Sequence, residues 1–277
     1  MREFPMRIVK AISVFLSFFV FLIVAVFAHV LITVIRPSRR WQAMSYLAYL
    51  LIKFFGFILG LKINLKGRIE TLNERGNFII SRHLSYLDGI VFGGLLPVIF
   101  VSKKEIKSWP VIGWVVAISG TIFVDRRNRN KIFDSVQAIA KTLEKKINVF
   151  VFPEGTSTDG SSLKPFQTVF FKAPVVARAG IVPITIAYQN LDDIQFDWKN
   201  RDEICWYGGM NFFKHLWNLL KYKRIDVDVT VHEKFLTASY GDNSLNRRNI
   251  SQRCYDLIAG AAGLKVGSVS CYRPPYK

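Results

Sequence analysis

The chain is poor in cysteine and in acid. Cys205, Cys254 and Cys271 are its three thiols, an odd number, far apart and without a Cys-x-x-Cys pair. That excludes a disulfide framework and a cysteine-based zinc site, and it fits a reducing compartment in which each thiol is a small packing residue. Gly-x-Ser-x-Gly, P-loop and dinucleotide-binding glycine patterns are absent, which removes the elbow hydrolases and the common nucleotide-dependent readings of an α/β chain. Also missing are zinc-finger spacing, an RNP-type aromatic strand and a basic heptad region, so no nucleic-acid partner is expected. There is no internal repeat or low-complexity tract.

Asp and Glu number 20 against 38 Lys and Arg, a formal charge of +18, while 51% of residues are hydrophobic. Disorder needs high charge with low hydrophobicity, so it is excluded. An anionic membrane surface accounts for charge and apolarity together, because basic residues beside apolar segments are attracted to acidic headgroups. Residues 11–35 carry no charge and are interrupted only by Ser13, Ser17, His29 and Thr33. This run is long enough to span a bilayer, and it ends in "IRPSRRW" rather than at a small-residue cleavage site. A second apolar segment, 46–61, contains Lys53 and is shorter, which predicts an interfacial helix paired with the first as a hairpin. Arg2, Arg7 and Lys10 precede the first run and Arg36, Arg39 and Arg40 follow it, a weak asymmetry. From it the remainder of the chain is expected on the cytoplasmic face of the membrane.

Beyond residue 62, short Val/Ile/Phe-rich runs at 77–81, 98–102, 121–124, 148–152 and 181–188 read as buried strands. Between the third and fourth, Ile132, Val136, Ile139 and Leu143 fall on one helical face. This alternation predicts βαβ units: an α/β fold with a mixed, mostly parallel sheet flanked by helices and preceded by the membrane-associated hairpin. Residues 225–231 alternate apolar and polar, as a half-exposed strand nearer a sheet edge does. A C-terminal helix is expected over 243–262, and "SCYRPPYK" reads as a loose tail.

The stretch "SRHLSYLDG" (81–89) follows the strand 77–81, so His83 falls at a strand's C-terminal end, where open α/β sheets bind ligands. Asp88 falls in the first turn of the next helix, able to fold back on the imidazole, fix its tautomer and stabilise the imidazolium. A near-neutral pKa suits histidine to general-base work on a hydroxyl. The other reading is a histidine satisfied at a helix N-terminus. Arg126 and Arg127 follow "TIFVD" at another strand end, as bidentate donors for a phosphate or carboxylate or as part of a solvated basic face continuing through Arg129 and Lys131. "PEGTSTDG" after 148–152 is a turn by composition, yet it brings backbone N–H groups and the Glu154 carboxylate close together.

Read together, these blocks resemble the glycerolipid acyltransferase family, the group containing the lysophosphatidic acid acyltransferases. "HLSYLDG" is similar to the family's first motif, "GTIFVDRR" (120–127) to the second, "VFPEGTSTDG" (151–160) to the third and "IVPITIAY" with Pro183 to the fourth. "WPVIGW" (109–114) also recurs in such enzymes. The likeness covers roughly residues 65–190, and four ordered motifs are far more specific than one.

The resemblance implies an acyltransferase with His83 and Asp88 as its catalytic pair. It implies that Arg126 or Arg127, with Glu154, Gly155 and Thr156, binds the acceptor, and that no metal or bound cofactor is needed. The donor would be acyl-CoA or acyl carrier protein. The acceptor would be a lysolipid, 1-acylglycerol-3-phosphate giving phosphatidate. On this reading residues 1–61 are the anchor, 62–265 the catalytic domain and 266–277 the tail. Two positions depart from the pattern: Arg82 stands where the family often has Asn, and Ser157 where lysophosphatidate enzymes commonly carry Arg. The second keeps another acceptor open, such as a lyso-ornithine lipid. Two other classes also stay open: a lipid hydrolase using Ser85, and a non-catalytic protein binding anionic lipid.

Overall fold

The structure is a computed structural model describing residues 3–109, 112–125, 128–238 and 240–264. It opens on a helical hairpin, α1 (Glu3–Ile35) and α2 (Arg40–Leu59), joined through a 3-10 turn at Pro37–Arg39. The two helices pack antiparallel, with the Phe18 and Phe55 rings 4.4 Å apart and His29 near Trp41. Apolarity places the start of the second segment at residue 46; the helix begins earlier, at Arg40, and its first turn carries Trp41 and Gln42, which hold tertiary contacts.

Those contacts tie the hairpin down at both ends. At one end Phe4 meets Trp217 edge-on at 6.3 Å and Lys10 Nζ donates to Tyr222 O at 2.6 Å. At the other, Gln42 Nε2 donates to Lys145 O, and the Trp41 ring lies so close to Gly120 that a Cβ there would come within 2.8 Å of it. The hairpin therefore lies along the remainder of the protein instead of projecting from it. Its outer face exposes Phe15, Phe19, Phe27, Phe54 and Phe57.

At Gly60 the chain turns from helix into sheet. Its φ of +77° forms a left-handed C-cap, and a Cβ would collide with Lys223 O at 1.9 Å, so only glycine fits. The elements that follow are β1 (Leu61–Gly67), β2 (Phe78–Ser81), α3 (Tyr86–Gly93), β3 (Ile99–Lys103), α4 (Ile112–Ile118), β4 (Ile122–Val124), α5 (Arg129–Glu144) and β5 (Val149–Val151). Then come α6 (Lys172–Val176), β6 (Gly180–Leu191), β7 (Ile194–Gln195), α7 (Phe212–Leu219), β8 (Ile225–Val231), β9 (Phe235–Leu236) and α8 (Ser244–Ala261). The sheet runs β1-β8-β6-β2-β5-β3-β4, with β7 and β9 also on β6. Pairing is parallel except where β6 meets β8, β7 and β9. This is the mixed, mostly parallel sheet that the alternating pattern predicts.

Both faces of the central strands are buried, which is why they read as continuous apolar runs. Phe78, Ile80, Val149, Val151 and Ile181 face α5 and α8, while Ile79, Phe150, Val182 and Ile184 face α3. On α5 the predicted stripe of Ile132, Val136, Ile139 and Leu143 is buried. Asn128 caps that helix by accepting from the backbone N–H groups of Asn130 and Lys131. The strand β1 is the longest strand that the sequence reading does not find; the short α4, α6, α7, β7 and β9 are also absent from it. Leu61 closes an apolar helix pattern, and the alternation of Leu61, Ile63 and Leu65 with Lys62, Asn64 and Lys66 is only seven residues long. It pairs along its whole length with β8. Asn64 and Lys66 reach Asp228 at 3.0 and 2.7 Å, so β8 is one strand in from the edge and its polar side is matched. The tail at 270–277 and Cys271 lie outside the described residues, while Cys205 and Cys254 are free and buried.

Candidate active site

Because β2, β3, β4 and β5 run parallel, their C-terminal ends open on one edge of the sheet. That edge collects His83 after β2, Lys103 at the end of β3, Asp125 after β4 and Phe152–Thr156 after β5. Arg126 and Arg127 follow directly on Asp125 but lie outside the described residues. Asp125 itself is held by Lys104 at 2.7 Å and Lys131 at 3.7 Å.

The helix α3 starts at Tyr86 with Ser85 as its N-cap, which places Asp88 in the first turn, where a carboxylate is stabilised by the backbone donors of a helix start. Asp88 is fully buried, and its Oδ2 accepts from Leu84 N at 2.6 Å and Ser85 N at 2.9 Å. His83 Nδ1 lies 2.9 Å from the same oxygen. Facing a carboxylate, Nδ1 is the protonated nitrogen, which leaves Nε2 with its lone pair. The His83 ring stacks on Phe152, centroids 4.0 Å apart and planes 14° from parallel, and its side chain retains 21% exposure. Two constraints, one polar and one aromatic, thus hold the imidazole while one nitrogen stays available. Ser85 is buried completely beneath this turn, where no substrate reaches it; that overturns the hydrolase reading.

Glu154 occupies a different place from the one its motif suggests. It is 6% exposed, and its two oxygens accept from His83 N at 2.7 Å and Lys164 N at 2.9 Å. The carboxylate thereby ties the strand-end segment bearing His83 to the loop 153–164. Burial pushes its pKa up to about 7, against the lowering effect of those two donors and of Arg82. Thr158 N adds a second tie, donating to His83 O at 2.9 Å. Gly155 is buried in the turn, its N–H on Phe152 O, while Thr156 and Ser157 are half-exposed. Lys103 Nζ stands 3.5 Å from Thr156 Oγ1 and brings a cation to that rim.

Arg82 points the opposite way from His83, into the protein. Its Nε donates to Ile186 O at 2.9 Å, and its charge compensates the buried Asp88 and Glu154. Desolvation lowers its pKa, and the two carboxylates oppose that. From β6, the Tyr188 hydroxyl donates to Asp88 Oδ1 at 2.8 Å. Burial, and then the Asp88 charge, raise the phenol's pKa well above its usual value, so it remains a donor.

Phe152, Lys103 and Tyr188 are the members of this site that the sequence reading did not single out. Lys103 carried a usable signal, since it ends a buried strand at the same edge as His83. The other two carried none, because an apolar ring after a strand and a tyrosine within one are ordinary core residues.

Comparison with known proteins places the chain among acyltransferases. A family profile described as Acyltransferase matches residues 62–187. A lyso-ornithine lipid O-acyltransferase of Rhodobacter capsulatus is 32% identical over 216 residues, 74% of this chain and 72% of the relative. The enzyme of the same name from Brucella abortus is 29% identical over 190 residues, 66% and 71% of the two chains. A 1-acyl-sn-glycerol-3-phosphate acyltransferase of Neisseria gonorrhoeae is 29% identical over 175 residues, 63% and 66%. The crystal structure of the 1-acyl-sn-glycerophosphate (LPA) acyltransferase PlsC from Thermotoga maritima shares the fold, with a TM-score of 0.59 at 18% identity, over 93% of this chain and 96% of that one. With its four motifs in order on this fold, the chain belongs to the acyltransferase family.

Proposed function

We propose that this enzyme acylates the free hydroxyl of a lysolipid, using His83 as general base. The observation that carries the reading is the fully buried Asp88 holding His83 Nδ1 at 2.9 Å while the imidazole keeps an open edge. His83 Nε2 takes the hydroxyl proton as the oxygen attacks the thioester carbonyl carbon of acyl-CoA or an acyl carrier protein. The C–O bond forms, the tetrahedral intermediate collapses with cleavage of the C–S bond, and the imidazolium returns its proton to the thiolate. Asp88 stabilises the imidazolium between these events. Nothing in this sequence of steps needs a metal or bound cofactor.

The favoured acceptor is 1-acylglycerol-3-phosphate, with Arg126 or Arg127 and Lys103 as cations for its phosphate and Gly155 and Thr156 at the rim. Ser157 in place of Arg, together with the similarity to lyso-ornithine lipid O-acyltransferases, favours a second acceptor, a lyso-ornithine lipid. Both the lysolipid and its product reside in a bilayer, and the hairpin supplies the means to sit there. Tied to the protein at both ends, it lies in the plane of an anionic cytoplasmic leaflet, and its exposed phenylalanines, continued by Phe213 and Trp217 of α7, enter the interface.

The test is acyl transfer from labelled acyl-CoA to each acceptor in parallel, with His83→Ala and Asp88→Asn beside the wild type. His83→Ala should lose nearly all turnover while still folding and binding vesicles, and Asp88→Asn should lose turnover with little change in acceptor KM. Substantial turnover by His83→Ala would remove the general base from the mechanism.

A further inference from the structure

The strand β6 is twelve residues long, and its last pairing with β2 is Ile184 with Ser81. It continues beyond that point beside the segment that carries Arg82 and His83. Alternation places Val182, Ile184, Ile186 and Tyr188 in the core on the α3 side. Two of these positions contact the site. Ile186 O accepts from Arg82 Nε, and the Tyr188 hydroxyl donates to Asp88 Oδ1. Pairing with β8 shifts register between Tyr188 and Asn190, an irregularity of the kind that re-aims a side chain next to a site. Tyr188 is buried, and its ring meets Phe196 edge-on at 6.0 Å, so the phenol has little freedom to swing away.

The two oxygens of Asp88 have separate duties. Oδ2 serves His83 Nδ1, Leu84 N and Ser85 N, whereas Tyr188 is the hydrogen-bond donor to Oδ1. We infer that Tyr188 is a positioning residue for His83: its hydroxyl holds the Asp88 carboxylate in the orientation that aims Oδ2 at the imidazole and draws part of the negative charge onto Oδ1. The inference rests on the reading of His83 as the base. A fourth-motif strand thereby orients the carboxylate that holds a first-motif histidine, Tyr188 and Asp88 lying 100 residues apart in sequence.

The sign of the effect follows. Without the hydroxyl, the charge of Asp88 concentrates on Oδ2 and favours the imidazolium, so His83 stays protonated to higher pH. Asp88 also becomes easier to protonate, which moves activity the same way. Because the carboxylate loses the donor that orients it, Tyr188→Phe should lower kcat by about 10-fold, the scale of one hydrogen bond to a charged group, with both KM values within about two-fold of wild type. The acid limb of kcat/KM should move to higher pH. Substituting 3-fluorotyrosine at 188, a more acidic phenol of nearly the same size, strengthens the donation and should move that limb to lower pH.

The experiment is the pH profile of kcat/KM for wild type, Tyr188→Phe and the 3-fluorotyrosine protein in the same mixed micelles, with thermal melts to check folding and His83→Ala as reference. Opposite displacements of the acid limb support the inference. A fall in kcat with an unmoved limb in a folded Phe variant overturns it, and so does wild-type behaviour of both substituted proteins while His83→Ala is inactive. Turnover surviving in His83→Ala instead brings down the general-base reading. If Tyr188→Phe does not fold, the direction of the fluorotyrosine displacement decides alone.

Discussion

Glu154 illustrates, at the scale of the residue, how a motif carboxylate can serve geometry. Each of its oxygens accepts one backbone N–H, from His83 and from Lys164. In Glu154→Gln the amide nitrogen must face one of those donors, leaving a buried N–H unpaired at a cost of roughly 1–3 kcal/mol. The melting temperature should fall by several degrees, and turnover should fall because the segment bearing His83 is released. The pH dependence separates this from generic damage. The folded pKa of about 7 lies above the ordinary glutamate value of 4.5. The native state therefore holds the proton more tightly, and the stability this group contributes is full below pH ~4.5 and is lost as pH rises towards about 7, by up to ~3 kcal/mol. Thermal melts from pH 5 to 8 should show that slope in the wild type and a flatter one in the Gln variant. Equal slopes would show that Glu154 is not titrating in this range.

At the scale of the element, the hairpin is held to the sheet domain by close approach. Gly120 has a φ of +86° and lies under the Trp41 ring, so Gly120→Ala meets both backbone strain and a contact at 2.8 Å. A loss of about 1–3 kcal/mol is expected. Trp41→Ala removes the same contact from the other side, so the double variant should lose less than the sum of the two singles. Strict additivity in chemical denaturation would show that the hairpin turn and Gly120 act independently.

At the scale of the whole molecule, the question is which side of the membrane each part occupies. Contacts at Phe4 and Lys10 and, through α2, at Trp41 and Gln42 hold the hairpin along the sheet domain, the arrangement from which its seating in the plane of the membrane is proposed. Ser38, exposed in the hairpin turn, and Lys199, exposed on the domain, should therefore lie on one side. With Cys271→Ser removing the cysteine in the tail, Ser38→Cys and Lys199→Cys should react with an impermeant maleimide from the same face of sealed vesicles. Labelling of Ser38→Cys from the opposite face only would establish a spanning hairpin.

Much of this protein is written locally in its sequence. Buried parallel strands must be short apolar runs, and α5 must carry Ile132, Val136, Ile139 and Leu143 on one face, so those elements are legible without a structure. The His83–Asp88 pairing is local too, because a helix N-terminus brings residues five apart within hydrogen-bond reach. Other features depend on which strands become neighbours, and no sequence period records that choice. β1 is stabilised by a partner more than 160 residues away, so its half-polar alternation says little by itself. Lys103 meets Thr156, and Tyr188 meets Asp88, because the order β6-β2-β5-β3 sets their strands around β2. Glu154 looks like a ligand in its motif and becomes a buried tie only once the loop folds onto His83. Hydropathy identifies two apolar helices, but how they lie along the sheet domain is decided by tertiary contacts at both ends, since hydropathy measures a preference for lipid and carries no angle.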